Sequence, residues 1–165
     1  MKSNTSSIEE VRNLLFTFSE GYVRRDLSSL DTFMNLFVQD EDLEFIGVGG
    51  GSPRRGTWRI GREAVRDLIR ADWEYWGSIK IDTNNAHIDV LDNVAWLSTS
   101  GTVTTDEETE EFLGDKESVV GKVHSDASAG SRIKPLRMTA VATKRESQWQ
   151  FLQIHFSFSI RSLPK

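Results

Sequence analysis

The sequence predicts an α+β domain in which helices come first and long antiparallel strands follow. Three observations carry this prediction. Residues 8–25 place apolar side chains at helical spacing, the period changes to two beyond Gly77, and residues 149–159 alternate in the manner of a closing strand. A chain of 165 residues can bury one sizeable core without staples. We therefore expect a single domain over residues 1–165, with a flexible start at 1–6 and a long loop at 106–135.

The elements follow in order. Ser6 and Ser7 stand three residues before Glu9 and Glu10, the spacing at which a capping hydroxyl and a returning carboxylate satisfy exposed amides. The helix they open carries Ile8, Val11, Leu15, Phe18 and Tyr22 on one face and Glu9, Glu20 and Arg24 outside it. A second short helix is expected at 29–37. Gly47, Gly49, Gly50 and Gly51 with Pro53 mark a hairpin tip between strands at 43–48 and 57–60. That glycine run lacks the Lys-Ser/Thr pair a phosphate-binding loop needs.

A third helix at 62–76 shows an apolar stripe of Val65, Leu68, Ile69 and Trp76, with Trp73 at its margin. Asp72 lies inside the stripe. A carboxylate facing a core is costly unless paired or held in a polar pocket. Asp72 is thus either the frayed end of a helix reaching water or a functional acid.

Beyond Gly77, residues 79–91 and 94–105 read as strands joined at Asp92-Asn93, a pair that tolerates positive φ. This turn sets Leu91 opposite Val94, Asp89 opposite Trp96 and His87 opposite Ser98. Ala86, Ile88, Val90, Ala95 and Leu97 then share the other face and should lie under the helices. Two more strands are expected at 136–145 and 148–160. On the last, Leu152, Ile154, Phe156 and Phe158 alternate with Gln153, His155, Ser157 and Ser159. The acidic run at 106–111 reads as a solvated loop tip rather than a metal site.

Composition narrows the function. The chain is 38% hydrophobic and 27% charged, with five Trp and nine Phe, which suits a packed globular domain. A net charge of −5 disfavours a general nucleic-acid or anionic-membrane binder, and the arginines near Arg54 and Arg59 are too few to reverse this. The absence of cysteine removes disulfides, thiolate metal sites and Cys nucleophiles. No apolar run is long enough to span a bilayer, and the first residues lack the apolar segment of a signal peptide, so a cytoplasmic location is expected.

The order helix, short helix, glycine hairpin, helix and four long strands resembles the NTF2-like superfamily, in particular its SnoaL-like group. The resemblance rests on Arg24-Arg25-Asp26-Leu27-Ser28-Ser29-Leu30 between the first helices, on Gly61-Arg62-Glu63-Ala64-Val65 opening the third, and on Trp149-Gln150-Phe151 through His155-Phe156-Ser157 in the closing strand. It implies a cone, a curved antiparallel sheet wrapped around three N-terminal helices, with an apolar pocket inside and a dimer formed through the other sheet face.

In ketosteroid isomerase, a relative in this superfamily, an aspartate moves a proton and a tyrosine with a second acid stabilises the enolate. Counting from the Arg25-Asp26 junction places Phe18 at the tyrosine position, and matching Leu43-Glu44-Phe45-Ile46 places Phe45 at the base position. A phenyl ring neither carries a proton nor donates a hydrogen bond, so that mechanism does not transfer. A shift of one residue would bring Glu44 to the base position.

Three readings of function remain. A binding pocket for a small apolar molecule would use Phe18, Phe45, Trp58 and Trp76 as walls. A cofactor-independent isomerase, dehydratase or cyclase would use Asp72, Tyr22 and His155 for proton transfer. A non-catalytic module would pair two copies through His87, Asp89, Trp96, Gln153 and Ser157. His155 among Gln153 and Ser157 fits an interface histidine better than a base. No metal or organic cofactor is expected, and neither nucleic acid nor membrane is an expected partner.

Overall fold

The computed structural model describes residues 5–105 and 132–158. Helix α1 spans Thr5–Arg24. Its predicted stripe is enclosed, with Val11, Leu15, Phe18 and Tyr22 all at 0% exposure. Thr5 and Ser6 are already helical, and Ser6 and Ser7 sit inside the first turn rather than capping it; residues 1–4 of the expected flexible start lie outside the described residues. Glu10 pins the helix to the far end of the sheet, accepting from Lys144 Nζ at 2.7 Å and Trp149 Nε1 at 2.9 Å.

At the Arg25-Asp26 junction the chain turns through Arg25 in the left-handed region (φ 49°). Asp26 Oδ1 accepts from the Ser28 amide and hydroxyl, opening a 3₁₀ turn at Leu27–Ser29. The short helix α2 (Leu30–Phe33) and a second 3₁₀ turn, Met34–Leu36, fill the predicted second helix. Strands β1 (Glu44–Ile46) and β2 (Trp58–Ile60) form the glycine hairpin. Helix α3 covers Arg62–Ala71, and its first residue fixes it in place: Arg62 Nη1 donates to the carbonyls of Phe37 and Val38, each at 3.1 Å.

The sheet runs β2-β1-β7-β6-β5-β3, with β4 also on β5. Its later strands are β3 (Ser78–Ile81), β4 (His87–Leu91), β5 (Val94–Thr105), β6 (Arg132–Arg145) and β7 (Gln148–Phe158). The hairpin register is the predicted one, with Asp89 opposite Trp96 and His87 opposite Ser98. Ala86, Ile88, Val90, Ala95 and Leu97 are buried under the helices.

Four expectations need correction. The sheet is mixed rather than antiparallel, because β1 lies parallel to β7. The strand expected at 79–91 breaks into β3 and β4: Asp82 holds Asn85 in a turn, and Arg12 of α1 donates to the carbonyls of Thr83, Asn84 and Ala86. Leu152 does not join the buried row. Val141 pairs with Gln153 and Ala142 with Phe151, which leaves Leu152 as an extra residue in a bulge. The alternation therefore reverses there, burying Trp149 and Phe151 before it and Ile154 and Phe156 after it. Finally, residues 132–135, expected in the long loop, belong to β6, where Arg132 pairs with Thr105. Residues 106–131, with the acidic run, lie outside the described residues.

Candidate functional site

The end of α3 makes the site. After Ala71 the helix widens to a π-turn over Asp72–Trp76, closed by the Gly77 amide donating to the Asp72 carbonyl. The wider turn sets Trp73 and Trp76 both inward, beside Asp72. Gly77 is required at its end, because a Cβ there would collide with the Thr104 carbonyl as the chain enters β3.

Tyr22 comes from α1, fifty residues away in sequence, and its Oη donates to Asp72 Oδ2 at 2.9 Å. Tyr22 is fully enclosed, with Phe18, Phe33 and Trp73 around its ring. Its phenol is pushed well above the usual range, first by burial and then by the adjacent Asp72 carboxylate, so it stays protonated and donates. Asp72 is pushed the other way from a surface acid. Burial raises its pKa from 3.8 to about 7, against the lowering effect of the Tyr22 hydrogen bond. The residue keeps partial access through the cavity it lines and is otherwise enclosed.

That cavity has a volume of about 380 Å³. Phe45, Val48, Leu68, Trp76 and Phe156 give it apolar walls, and the glycine hairpin from Gly47 to Thr57 forms its mouth. The hairpin closes tightly because Gly49 leaves room for Thr57, whose Oγ1 donates to the Gly49 carbonyl at 2.9 Å. A more open cleft of about 650 Å³ lies elsewhere, between Phe16, Glu20 and Val23 of α1 and the β3 edge. Its acids are Glu20 and Asp82, and Asp82 is taken up by Asn85.

The predicted site residues separate into two groups. Asp72, Phe45 and Trp76 line the cavity, and Tyr22 stands directly behind Asp72. Three others lie away from it. Phe18 is the centre of the aromatic core, packed on Tyr22, Phe33, Phe37, Phe151 and Phe156, and reaches no cavity. Trp58 sits on the opposite side of the hairpin from Phe45 and donates its Nε1 to Glu44 Oε1 at 2.6 Å. His155 pairs with Ile46 and Thr139 on that same outer side and is exposed, so the sheet separates it from Asp72.

Glu44 takes no part either: Trp58 and Gln153 occupy its two oxygens on the outer face. His87 Nε2 lies 3.1 Å from Asp89 Oδ2 in the open, and Trp96 is 45% exposed. Among the described residues no group of three His, Asp or Glu side chains is placed to hold a metal, and no helix is long and apolar enough to cross a membrane.

The family model for the SnoaL-like domain matches residues 11–161. The chain belongs to the SnoaL-like family. Solved structures place this SnoaL-like chain in the wider NTF2-like fold. A candidate dehydratase of the NTF2-like family from Streptomyces avermitilis superposes with a TM-score of 0.69 at 14% identity, covering 96% of this chain and 99% of that one. An NTF2-like superfamily protein from Salmonella enterica serovar Typhimurium gives 0.69 at 14% identity, over 98% and 96% of the two chains. A protein of unknown function with a cystatin-like fold from Nostoc punctiforme gives 0.64 at 14%, over 99% and 98%. No curated protein matches the sequence. Likeness at this identity establishes the α+β cone and leaves the chemistry to the site.

Sequence reasoning missed Arg59 and Phe156 as cavity residues. Both were legible in principle as hairpin and sheet positions sharing the face of Phe45, but the parallel β1–β7 pairing that aligns them has no local signature.

Proposed function

We propose that the SnoaL-like cavity receives a small, largely apolar molecule and that Asp72 exchanges a proton with it, in a reaction of the isomerase, dehydratase or cyclase class. The observation that carries this reading is a carboxyl with a pKa of about 7 facing an apolar cavity and held from behind by a protonated tyrosine. Near neutral pH such an acid is present in both forms, the condition under which one group can take a proton from carbon or oxygen and return it. Tyr22 makes its hydrogen bond to Asp72 and has no exposed surface, so its role is positioning.

The candidate dehydratase among the neighbours supports the class through fold alone. The test is proton exchange in D₂O, followed by NMR on cyclic and aryl ketones of a size to fit 380 Å³. The wild type should speed exchange at the carbon next to the carbonyl, and Asp72→Asn should lose about 10²-fold or more of that rate. Equal exchange by both proteins overturns the assignment.

A second observation favours pairing of two copies. The outer sheet face carries Leu91, Val94 and Trp96 at 65%, 45% and 45% exposure, beside the His87–Asp89 pair. A contiguous apolar strip of this kind suits burial against its own copy, with Gln153 and Ser157 further along the same face. Sedimentation velocity should show a dimer at micromolar concentration; a monomer throughout removes this reading.

A further inference from the structure

We infer that the molecule this cavity takes is an anion, an apolar body bearing a carboxylate, and that Arg59 at the hairpin wall is the residue that selects it. The inference rests on the proposed pocket and adds a charge requirement to it.

Arg59 lies beside Phe45 in the hairpin register and lines the cavity as its one cationic side chain among the described residues. Its Nε is buried with no hydrogen-bond partner. Trp76 Nε1, in the same lining, is also buried without a partner. Buried donors are normally paired, and leaving them bare is unfavourable, so two unsatisfied N–H groups in the wall of one cavity point to acceptor atoms on an occupant. A neutral acceptor would satisfy the indole. A guanidinium in an apolar wall gains most from a carboxylate, which its planar fork matches in shape and charge.

The other charged groups in the wall fit this assignment. Asp67 is exposed and lies near Arg66 on its own helix. Asp72 owes its raised pKa to burial, against the lowering effect of the Tyr22 hydrogen bond. Arg59 and Asp72 both line the cavity, and no ion pair joins them among the described residues. An occupant that spans them puts its carboxylate at Arg59, its apolar body along Phe45, Leu68 and Phe156, and its proton-exchanging atom at Asp72. Anchoring the remote end in this way fixes where the reacting atom stands.

The experiment uses the full-length protein and a matched pair of probes, 2-naphthoate and neutral 2-naphthamide, with binding measured by calorimetry. The wild type should prefer the carboxylate by about tenfold or more, the scale of one charge-assisted hydrogen bond. Arg59→Gln should abolish the preference, lowering naphthoate affinity about tenfold more than naphthamide affinity. Should Arg59→Gln not fold, the wild type still answers: the Arg59 Nε–H resonance should shift with naphthoate and stay still with naphthamide. A preference that survives Arg59→Gln, or an Arg59 signal that responds to neither probe while the Trp76 indole signal responds to both, overturns the anion assignment and leaves the pocket standing. No response at Trp76 to either probe overturns the pocket and the anion assignment together.

Discussion

Two acid–aromatic pairs sit on opposite sides of this sheet at nearly the same separation. Tyr22 and Asp72 are 2.9 Å apart inside the cone, and His87 and Asp89 are 3.1 Å apart on the outer face. Distance does not distinguish them; solvent does. The outer pair has side chains 73% and 50% exposed, where water screens the charges and competes for each hydrogen bond. The inner pair has a phenol with no exposed surface and a carboxyl whose pKa burial carries to about 7. Of the two, the inner pair alone sets a desolvated carboxyl beside a cavity, although in sequence the outer pair, two residues apart on one strand, is the easier to notice.

The most severe test of this contrast is the pH dependence of stability. The folded protein holds a proton on Asp72 up to about pH 7, and the unfolded chain releases it near 3.8. Folding therefore binds a proton between these values, and the Asp72 contribution to stability falls as pH rises through that window, then levels off. The full fall is about 2–4 kcal/mol, the lower figure applying if water in the cavity eases the buried charge. Denaturant titrations at pH 5 and pH 8, which span about two of the roughly three pH units in that window, should show Asp72→Asn gaining about 1–2.5 kcal/mol relative to wild type at the higher pH. A pH-independent difference would place Asp72 in solvent.

A smaller effect sharpens the inner pair itself. Tyr22→Phe deletes the hydrogen bond that lowers the Asp72 pKa, so the carboxyl should titrate above 7 rather than near it. Carbon-13 NMR of labelled aspartate reads this directly. The protein should also lose about 1–3 kcal/mol at pH 8, where the carboxylate is left buried and unpartnered. The smallest effect belongs to the outer face. Asp89→Asn should change stability of the monomer by less than about 0.5 kcal/mol at any pH, and thermal melts at pH 5 and pH 8 would expose a larger role.

Much of this molecule was legible locally. The α1 stripe, the glycine hairpin, the Asp92-Asn93 turn and its register all follow from short-range spacing, and the structure keeps them. Asp72 was visible as a carboxylate in an apolar stripe, and Tyr22 as the last member of another. Errors arose where a distant contact decided a local outcome. Arg12 draws residues 83–86 out of the strand period, and the Leu152 bulge reverses the alternation that placed side chains on β7. Trp58, expected in the pocket wall, belongs to the outer face, where the alternation of the last strand had already set His155.

The sequence by itself determined the periodicities, and with them which side chains on each helix and hairpin must avoid water. The tertiary structure decided which of those buried side chains meet. Tyr22 reaches Asp72 only because α1 and α3 pack inside the same curved sheet, and Arg59 reaches the cavity only because β1 joins β7 in parallel. The physical reason is one of range: hydrophobic patterning acts over a few residues, whereas the desolvation that turns an aspartate into an acid with a pKa of about 7 is a property of everything packed around it.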